Sequence, residues 1–569
     1  MYVAQVIEPL PRESPPLSTT KPRTSPPILT SQGLLAWLEQ LPDARLTLLV
    51  GLLLFALAGW PLLLVALPPF QDLPNHVATA HIIAHPDLYP EYVFNGFLKS
   101  NSLLTLWFHL LGGYGLYGAA RGFTAFVLLM NALALPFFAL HFTGRRGLLV
   151  ASLFFWPLVH GFFVSMGMLN FAFAFGLSLV LLIFLDRQRQ NPTWGRGFGI
   201  GILSGILWYA HPFPLAMMAG LVALHALGQS SWRARIKAGV TLLSPLAPAG
   251  LLFLVAARQH LVKAERAPSV GSAAYSYLNP WEILGHLWLD ASGALTWWGS
   301  MTIVPALLLP YYAWKQRKDS PPFFSTLAMA LLAAGYVALP VMMSNWWHLN
   351  CRLVPFLWAG LILRLPTKLP RAVTGVLVAC ALSFSMIMGI DYLRLDRDRA
   401  EFTAGMDVVP ARATLLPLMF RQSKTSDFIA SLAHAWGYYT VQRNTSAPMV
   451  FAAERSYPIC RRDLPPRALV TPALDRFAEE GGTPAQVCKT LRHFSVDEGC
   501  TMAWRDRWLA FWREATPRFS HVLTWAMPAE ARGLIPKPYH RIFAAGELEI
   551  YAQGIPPVVA PASSTQAAP

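Results

Sequence analysis

Apolar stretches of about 20 residues recur from Arg45 to Asp391, each closed by a short break carrying arginine, lysine, proline or glycine. A helix of that length crosses the hydrocarbon of a bilayer. The pattern predicts about 11 transmembrane helices. They fall at Leu46–Leu67, Phe123–Phe142, 147–164, 166–185, 198–212, 213–228, 237–257, 298–314, 322–343, 352–366 and 370–390. The run "SLLTLWFHLLGGYGLYGAA" (102–120) is short and glycine-broken, so it predicts a juxtamembrane or re-entrant helix in place of a crossing. Beyond Asp391 the pattern changes. Helical stretches such as "ALDRFAEEGG" alternate with strand-like runs, "RFSHVLTWAM" and "LEIYAQG", as in a mixed α/β domain.

The basic residues orient these spans. Clusters lie at Arg145/Arg146, Arg187/Arg189/Arg196, Arg233/Arg235/Lys237, Lys315/Arg317/Lys318 and Arg364/Lys368/Arg371. An even number of spans separates each from the next, so all five sit in the cytoplasm under the positive-inside rule. Parity then makes 68–121 a large first outer loop and puts the C-terminal region outside. The expected fold class is a polytopic α-helical membrane protein with juxtamembrane helices in its first outer loop and a C-terminal extracytoplasmic α/β domain. Its divisions are a disordered cytoplasmic tail (1–44), a transmembrane domain (45–390), the C-terminal domain (391–554) and a disordered tail (555–569). Leu46–Leu67 is too long for a signal-peptide core and comes after a polar tail, which reads as a retained anchor.

Composition narrows the function. The chain is 54% hydrophobic and only 13% charged, too little charge to cover a soluble protein of this length. A net charge of +15 in a soluble protein suggests nucleic acid. Here residues 391–569 hold roughly 21 basic and 18 acidic side chains, so the excess lies in the membrane half, and nucleic acid is not an expected partner. The five cysteines have no metal-type CxxC spacing; among Cys460, Cys488 and Cys500 a disulfide such as Cys488–Cys500 is one pairing an extracytoplasmic region permits.

The chemistry gathers on the outer face. The stretch "FQDLPNHVATAHIIAHPD" (70–87) places Asp72, His76, His81, His85 and Asp87 directly after the first span, with Tyr89 and Glu91 just beyond. "YAHPFP" adds His211. The loop 258–297 adds His260, Lys263, Glu265, Arg266, Tyr275, Tyr277, Glu282, His286 and Asp290; "SNWWHLNCRLVPF" adds Asn345, Trp346, Trp347, His348 and Arg352; and His160 lies near the outer end of its span. The span interiors hold almost no ionisable groups. A coupled transporter concentrates polar groups near the midplane, often in repeated halves. An enzyme acting on a lipid-anchored substrate at the outer interface has this distribution instead. If a helix begins at Leu73, Asp72 is its N-cap and lies one turn from His76. Asp72 then serves either as a cap for an interfacial helix or as a general base facing a cavity. Arg352 either snorkels to headgroups or holds a phosphate bidentately.

In this layout the chain resembles the GT-C superfamily of integral-membrane glycosyltransferases, which use a polyprenyl-phosphate-linked sugar as donor. The likeness lies in one span, an outer loop opening with an acid (Gln71-Asp72), juxtamembrane helices, and the run "GLYGAARGFTAFVLLMNALALPFFALHFTGRRG" (115–147), then many spans and an outer C-terminal domain. The resemblance implies that Asp72 is the catalytic acid of the first loop and that Arg352 is the phosphate-binding residue. Many members carry an acidic pair at the first site, whereas here Leu73-Pro74-Asn75-His76 comes after Asp72. A divalent metal ion is therefore left open as a cofactor, and His76 stands where part of the second acid's role would fall.

The expected mechanism makes Asp72 the base that deprotonates an acceptor hydroxyl as it attacks the anomeric carbon. Arg352 with His348 clamps the departing phosphate, and His76 positions or protonates. His211, His85 and Asp87 are further candidates for binding the substrate or its phosphate. The expected partners are a polyprenyl-phosphate-linked sugar, the bilayer and a glycan, lipid or protein acceptor, at the bacterial cytoplasmic membrane. The alternatives are a transporter or flippase of a lipid-linked sugar and a non-catalytic envelope assembly protein.

Overall fold

The computed structural model describes residues 40–264, 275–277, 281, 283, 301–315, 321–343, 346–420, 429–452, 457–462, 504–533 and 535–554. The chain divides into two units after Leu46. Of the first unit the described part is 40–46, which includes the opening turn of the helix Asp43–Gly59. The second unit, from Thr47 onward, holds the helical bundle and the C-terminal region.

Among the described residues five helices are long and apolar enough to cross a membrane: Asp43–Leu63, Leu116–Ser152, Leu169–Gln190, Trp232–Ala256 and Arg371–Val408. Shorter helices, Trp194–Ala210, Pro212–Leu227, Ile303–Lys315, Thr326–Ala338 and Val354–Ile362, occupy other expected spans. The most apolar window of Leu169–Gln190 is 89% buried, against 17% for Trp232–Ala256 and 28% for Arg371–Val408. A helix apolar on every side must be either central or surrounded by lipid. The first is therefore the middle of the bundle, and the other two present leucine and valine, such as Leu251, Leu254, Val376 and Leu382, outward.

Two expected boundaries move. Residues 147–164 do not form one helix. The helix Leu116–Ser152 bends at Gly144, and beyond it come two one-turn helices, Trp156–Val159 and Phe162–Ser165, separated by extended Gly161. Nearly all of this irregular stretch is buried in protein, the setting in which broken backbone is tolerated at membrane depth. The helix of the last span also continues past residue 390. Arg371–Thr403 is a single helix of 33 residues, about 50 Å long, so its final turns rise beyond a bilayer's thickness and carry the chain into the C-terminal region.

That region holds a four-stranded sheet in the order Leu415–Met419, His521–Trp525, Leu548–Gln553, Tyr539–Ala545. The first pair is parallel and the rest antiparallel. Strands thus stand within both strand-like runs read from the sequence, while "ALDRFAEEGG" lies outside the described residues. The run 102–120 begins with Leu103–Leu111, nine residues, which is too short to cross.

The loop after the first span and the C-terminal region share a sheet and a core. Trp60, at the end of the first span, donates to Ser385 at 2.8 Å, so the chain enters the following loop beside the helix that leads to the C-terminal region. Tyr92–Phe94 of the loop pairs antiparallel with Ile459–Arg461. Ala78, Ile82, Tyr89 and Tyr92 share a core with Leu416, Trp436, Val450 and Tyr551. The helix Leu73–Ala84 lies against Gly437–Arg443, and a Cβ at Gly437 would collide with the Pro74 carbonyl. Gly437→Val should therefore push the two apart at a cost of about 1–3 kcal/mol. A lowered midpoint of heat-induced aggregation checks this, with Gly533→Ala, which has open space around it, as the control.

Candidate active site

Asp72 is placed by backbone before its side chain does anything. Phe70 anchors the approach, edge-on to His160 and Tyr392. The Asp72 N–H then donates to the Met166 carbonyl at 3.0 Å, within the broken segment after Ser152. Gly167, at φ +82°, lets that segment pass close by: a Cβ there would stand 3.0 Å from the Asp72 and Leu73 nitrogens. Pro74 starts the helix Leu73–Ala84, with Asp72 at its N-cap position. Yet the carboxylate makes no capping bond. Its Oδ1 instead stands 3.6 Å from His434 Nε2, contributed by the C-terminal region. Burial raises the Asp72 carboxyl to about 7, although a hydrogen bond from Gln71 and the charge of Arg352 pull the other way. A carboxylate poised near neutrality is a stronger base than an ordinary aspartate and is still substantially ionised at pH 7.

His76, one turn on, meets Phe451 edge-to-face at 5.7 Å. Burial lowers it to about 4, so it is neutral at pH 7, which suits positioning better than proton donation. His434 packs on Phe451 at 5.0 Å and is lowered to about 3 by burial and by neighbouring His76. Phe451 in turn stacks on Tyr457.

Arg352 comes from the turn before Val354–Ile362, close enough to Asp72 for its charge to act on that carboxyl. It is buried, with Nη1 2.6 Å from His211 Nε2, Nε donating to the His348 carbonyl at 3.3 Å, and the guanidinium over the Phe171 ring at 5.2 Å. His348 thus serves Arg352 through its backbone, at φ +55°, while its ring packs against Phe162. His211 is the N-cap of Pro212–Leu227; its ring has one acceptor nitrogen, and in the tautomer that serves Arg352 this is Nε2, with Nδ1 lying 3.2 Å from the Phe213 nitrogen. An apolar crevice of about 430 Å³, open mouth included, continues from Phe171 and Phe162 between Phe175, Val354 and Trp358.

Asp72, His76, Arg352, His348 and His211 are therefore assembled at one end of the bundle. His85 and Asp87 are not. The helix carries them away, about 20 Å along its axis from Asp72, to an exposed end where His85 stacks on His81 and donates to its carbonyl. The side chains of His260, Lys263, Glu265, Arg266, Tyr275, Glu282, His286, Asp290, Asn345, Trp346 and Trp347 lie outside the described residues, as do Cys488 and Cys500.

Sequence reading missed His434, Asn75, Phe451 and Tyr457. Asn75 lay inside the singled-out stretch, but only the structure shows it wholly buried. His434 sits more than 350 residues away in "SLAHAW", with nothing in its spacing to join it to Asp72. As for a metal, the described residues bring together no group of three His, Cys, Asp or Glu that fits an ion. Asp72 and His434 by themselves make an incomplete donor set for an ion.

No family model and no curated protein matches the chain. Among solved structures it is similar to ArnT from Cupriavidus metallidurans in two states. The crystal structure bound to undecaprenyl phosphate is 11% identical over 92% of this chain and 98% of that one, with a TM-score of 0.48. The apo crystal structure is 12% identical over 91% and 98%, with a TM-score of 0.47. The functional reading rests on this chain's own side chains.

Proposed function

We propose that the protein is a membrane glycosyltransferase that moves a sugar from a polyprenyl-phosphate donor to an acceptor hydroxyl at the outer face of a bacterial cytoplasmic membrane. The observation that carries this reading is the pairing of a buried carboxylate raised to about 7 with a buried arginine whose charge acts on it, the arginine packed on Phe171 at the edge of an apolar crevice. In a glycosyl phosphate the leaving group is already good. What remains is to remove the acceptor's proton and to neutralise charge growing on the departing phosphate. Asp72 takes the proton as the acceptor oxygen bonds to the anomeric carbon. Arg352, preorganised by His211 and the His348 carbonyl, receives the phosphate as the glycosidic C–O bond breaks. Direct attack of this kind inverts the anomeric centre. His76, His434, Phe451 and Tyr457 supply an aromatic wall for the sugar. Mass spectrometry of envelope glycans and glycolipids from cells with and without the gene tests the reading: a species lacking one sugar unit is expected in its absence, and an unaltered envelope profile overturns it.

A further inference from the structure

Between the first-loop helix and the C-terminal region lies a chain of polar contacts that the proposed transfer does not use. Asn75 is wholly buried. Its Oδ1 accepts from the Phe451 backbone N–H at 3.1 Å, and its Nδ2 donates to the Met449 carbonyl at 3.0 Å. These two backbone partners determine which end of the amide is which, because a carbonyl cannot donate and an N–H cannot accept. The same Nδ2 stands 3.4 Å from His434 Nδ1. Facing an N–H donor, Nδ1 must hold the ring's lone pair, so the proton of this neutral imidazole is on Nε2. Nε2 is the atom 3.6 Å from Asp72 Oδ1.

We propose that His434, held in its Nε2–H tautomer by Asn75, is the positioning residue of Asp72: its N–H, 3.6 Å from Oδ1 here, closes to a hydrogen bond on the ionised carboxylate and turns the other oxygen toward the acceptor hydroxyl. The inference rests on Asp72 being the base. It also accounts for the missing second acid. A carboxylate at this place would set like charge against Asp72, whereas a neutral N–H donor orients it and leaves it able to take a proton. Two backbone groups of the C-terminal region set Asn75, so that region specifies the direction of the base from outside the membrane bundle. Among the described residues, the other titratable or charged groups that act on the pair are His76 on the helix Asp72 leads into and Arg352, itself influenced by Tyr457.

The test reads Asp72 without needing the substrate. Full-length protein in lipid nanodiscs is treated with dicyclohexylcarbodiimide, which attacks protonated carboxyls, and Asp72 labelling is tracked by peptide mass spectrometry as pH is varied. The wild-type midpoint is expected near 7. His434→Phe keeps a ring against Phe451 but has no N–H to stabilise the ionised form. Its midpoint should rise by at least about half a unit, roughly threefold in the ionisation equilibrium. His434→Gln retains a donor and should stay with the wild type. An unshifted or lowered midpoint in His434→Phe overturns the proposal, and so does an equal rise in both variants. If the phenylalanine variant fails to fold, His434→Met, which matches glutamine in shape without its N–H, gives the same comparison. Envelope glycolipids from cells carrying the same variants separate the two levels. Full product from Asp72→Asn removes the base itself. Loss of product in Asp72→Asn, with normal product and an unshifted midpoint in His434→Phe, removes only the role of His434.

Discussion

Asp72→Asn should abolish sugar transfer and, above pH 7, make the protein more resistant to heat. The first effect comes from losing the base: a fall of at least about a thousandfold, within the usual span of general-base contributions. The second comes from burial. A carboxyl raised from its usual 3.8 to about 7 binds its proton more tightly in the folded chain than in the unfolded one. Its favourable contribution is complete below about pH 4 and declines as pH rises through about 7, where the native state must keep an ionised carboxylate in a buried pocket. Asparagine never ionises. The stability gained over wild type should therefore be greatest above pH 7, at most about 4 kcal/mol, and vanish toward pH 4. Glycolipid analysis and thermal unfolding at several pH values check both halves. A variant that loses activity and stability together would make Asp72 a structural residue, and one with full activity would remove it from the mechanism. In the wild type the same titration makes transfer rise with pH through about 7.

Arg352→Ala should weaken retention of a long-chain polyprenyl monophosphate by roughly 10- to 100-fold, the worth of a charge-assisted hydrogen bond to phosphate. Native mass spectrometry of the purified protein with that lipid measures it. Arg352→Lys should recover part of the loss, because a point charge remains while the fork held by His211 and the His348 carbonyl does not. A second sign is expected on the base. The arginine's charge pulls the Asp72 carboxyl downward, so its removal should move the pH-dependent rise in activity to higher pH. Unchanged lipid retention would reassign Arg352 to anchoring its own loop.

The helices were legible because their cause is local. The central run was expected at 166–185 and is found at Leu169–Gln190, and the glycine-broken run after Asn101 yields a nine-residue helix. The breaks were harder. The apolar stretch 147–164 has the composition of a span, but its glycines and Pro157 allow the kinked path that brings Met166 and Gly167 against Asp72. That the last helix continues beyond its span was not legible for a related reason. Charged residues after Asp391 signal departure from lipid, not the end of a helix, and packing against the C-terminal region keeps the helix going to Thr403.

Run length was sufficient to expect a chain built largely of apolar helices, since the cost of moving a short segment between water and lipid depends on that segment's own composition. Residue type and place in the chain were sufficient to single out Asp72 and Arg352 as well. Which candidates meet was another matter. His85 and Asp87 share a loop with Asp72 and end about 20 Å from it, while His434, some 360 residues distant, lies 3.6 Å away. Helix direction and the docking of the C-terminal region set those separations, and both arise from contacts between residues far apart along the chain.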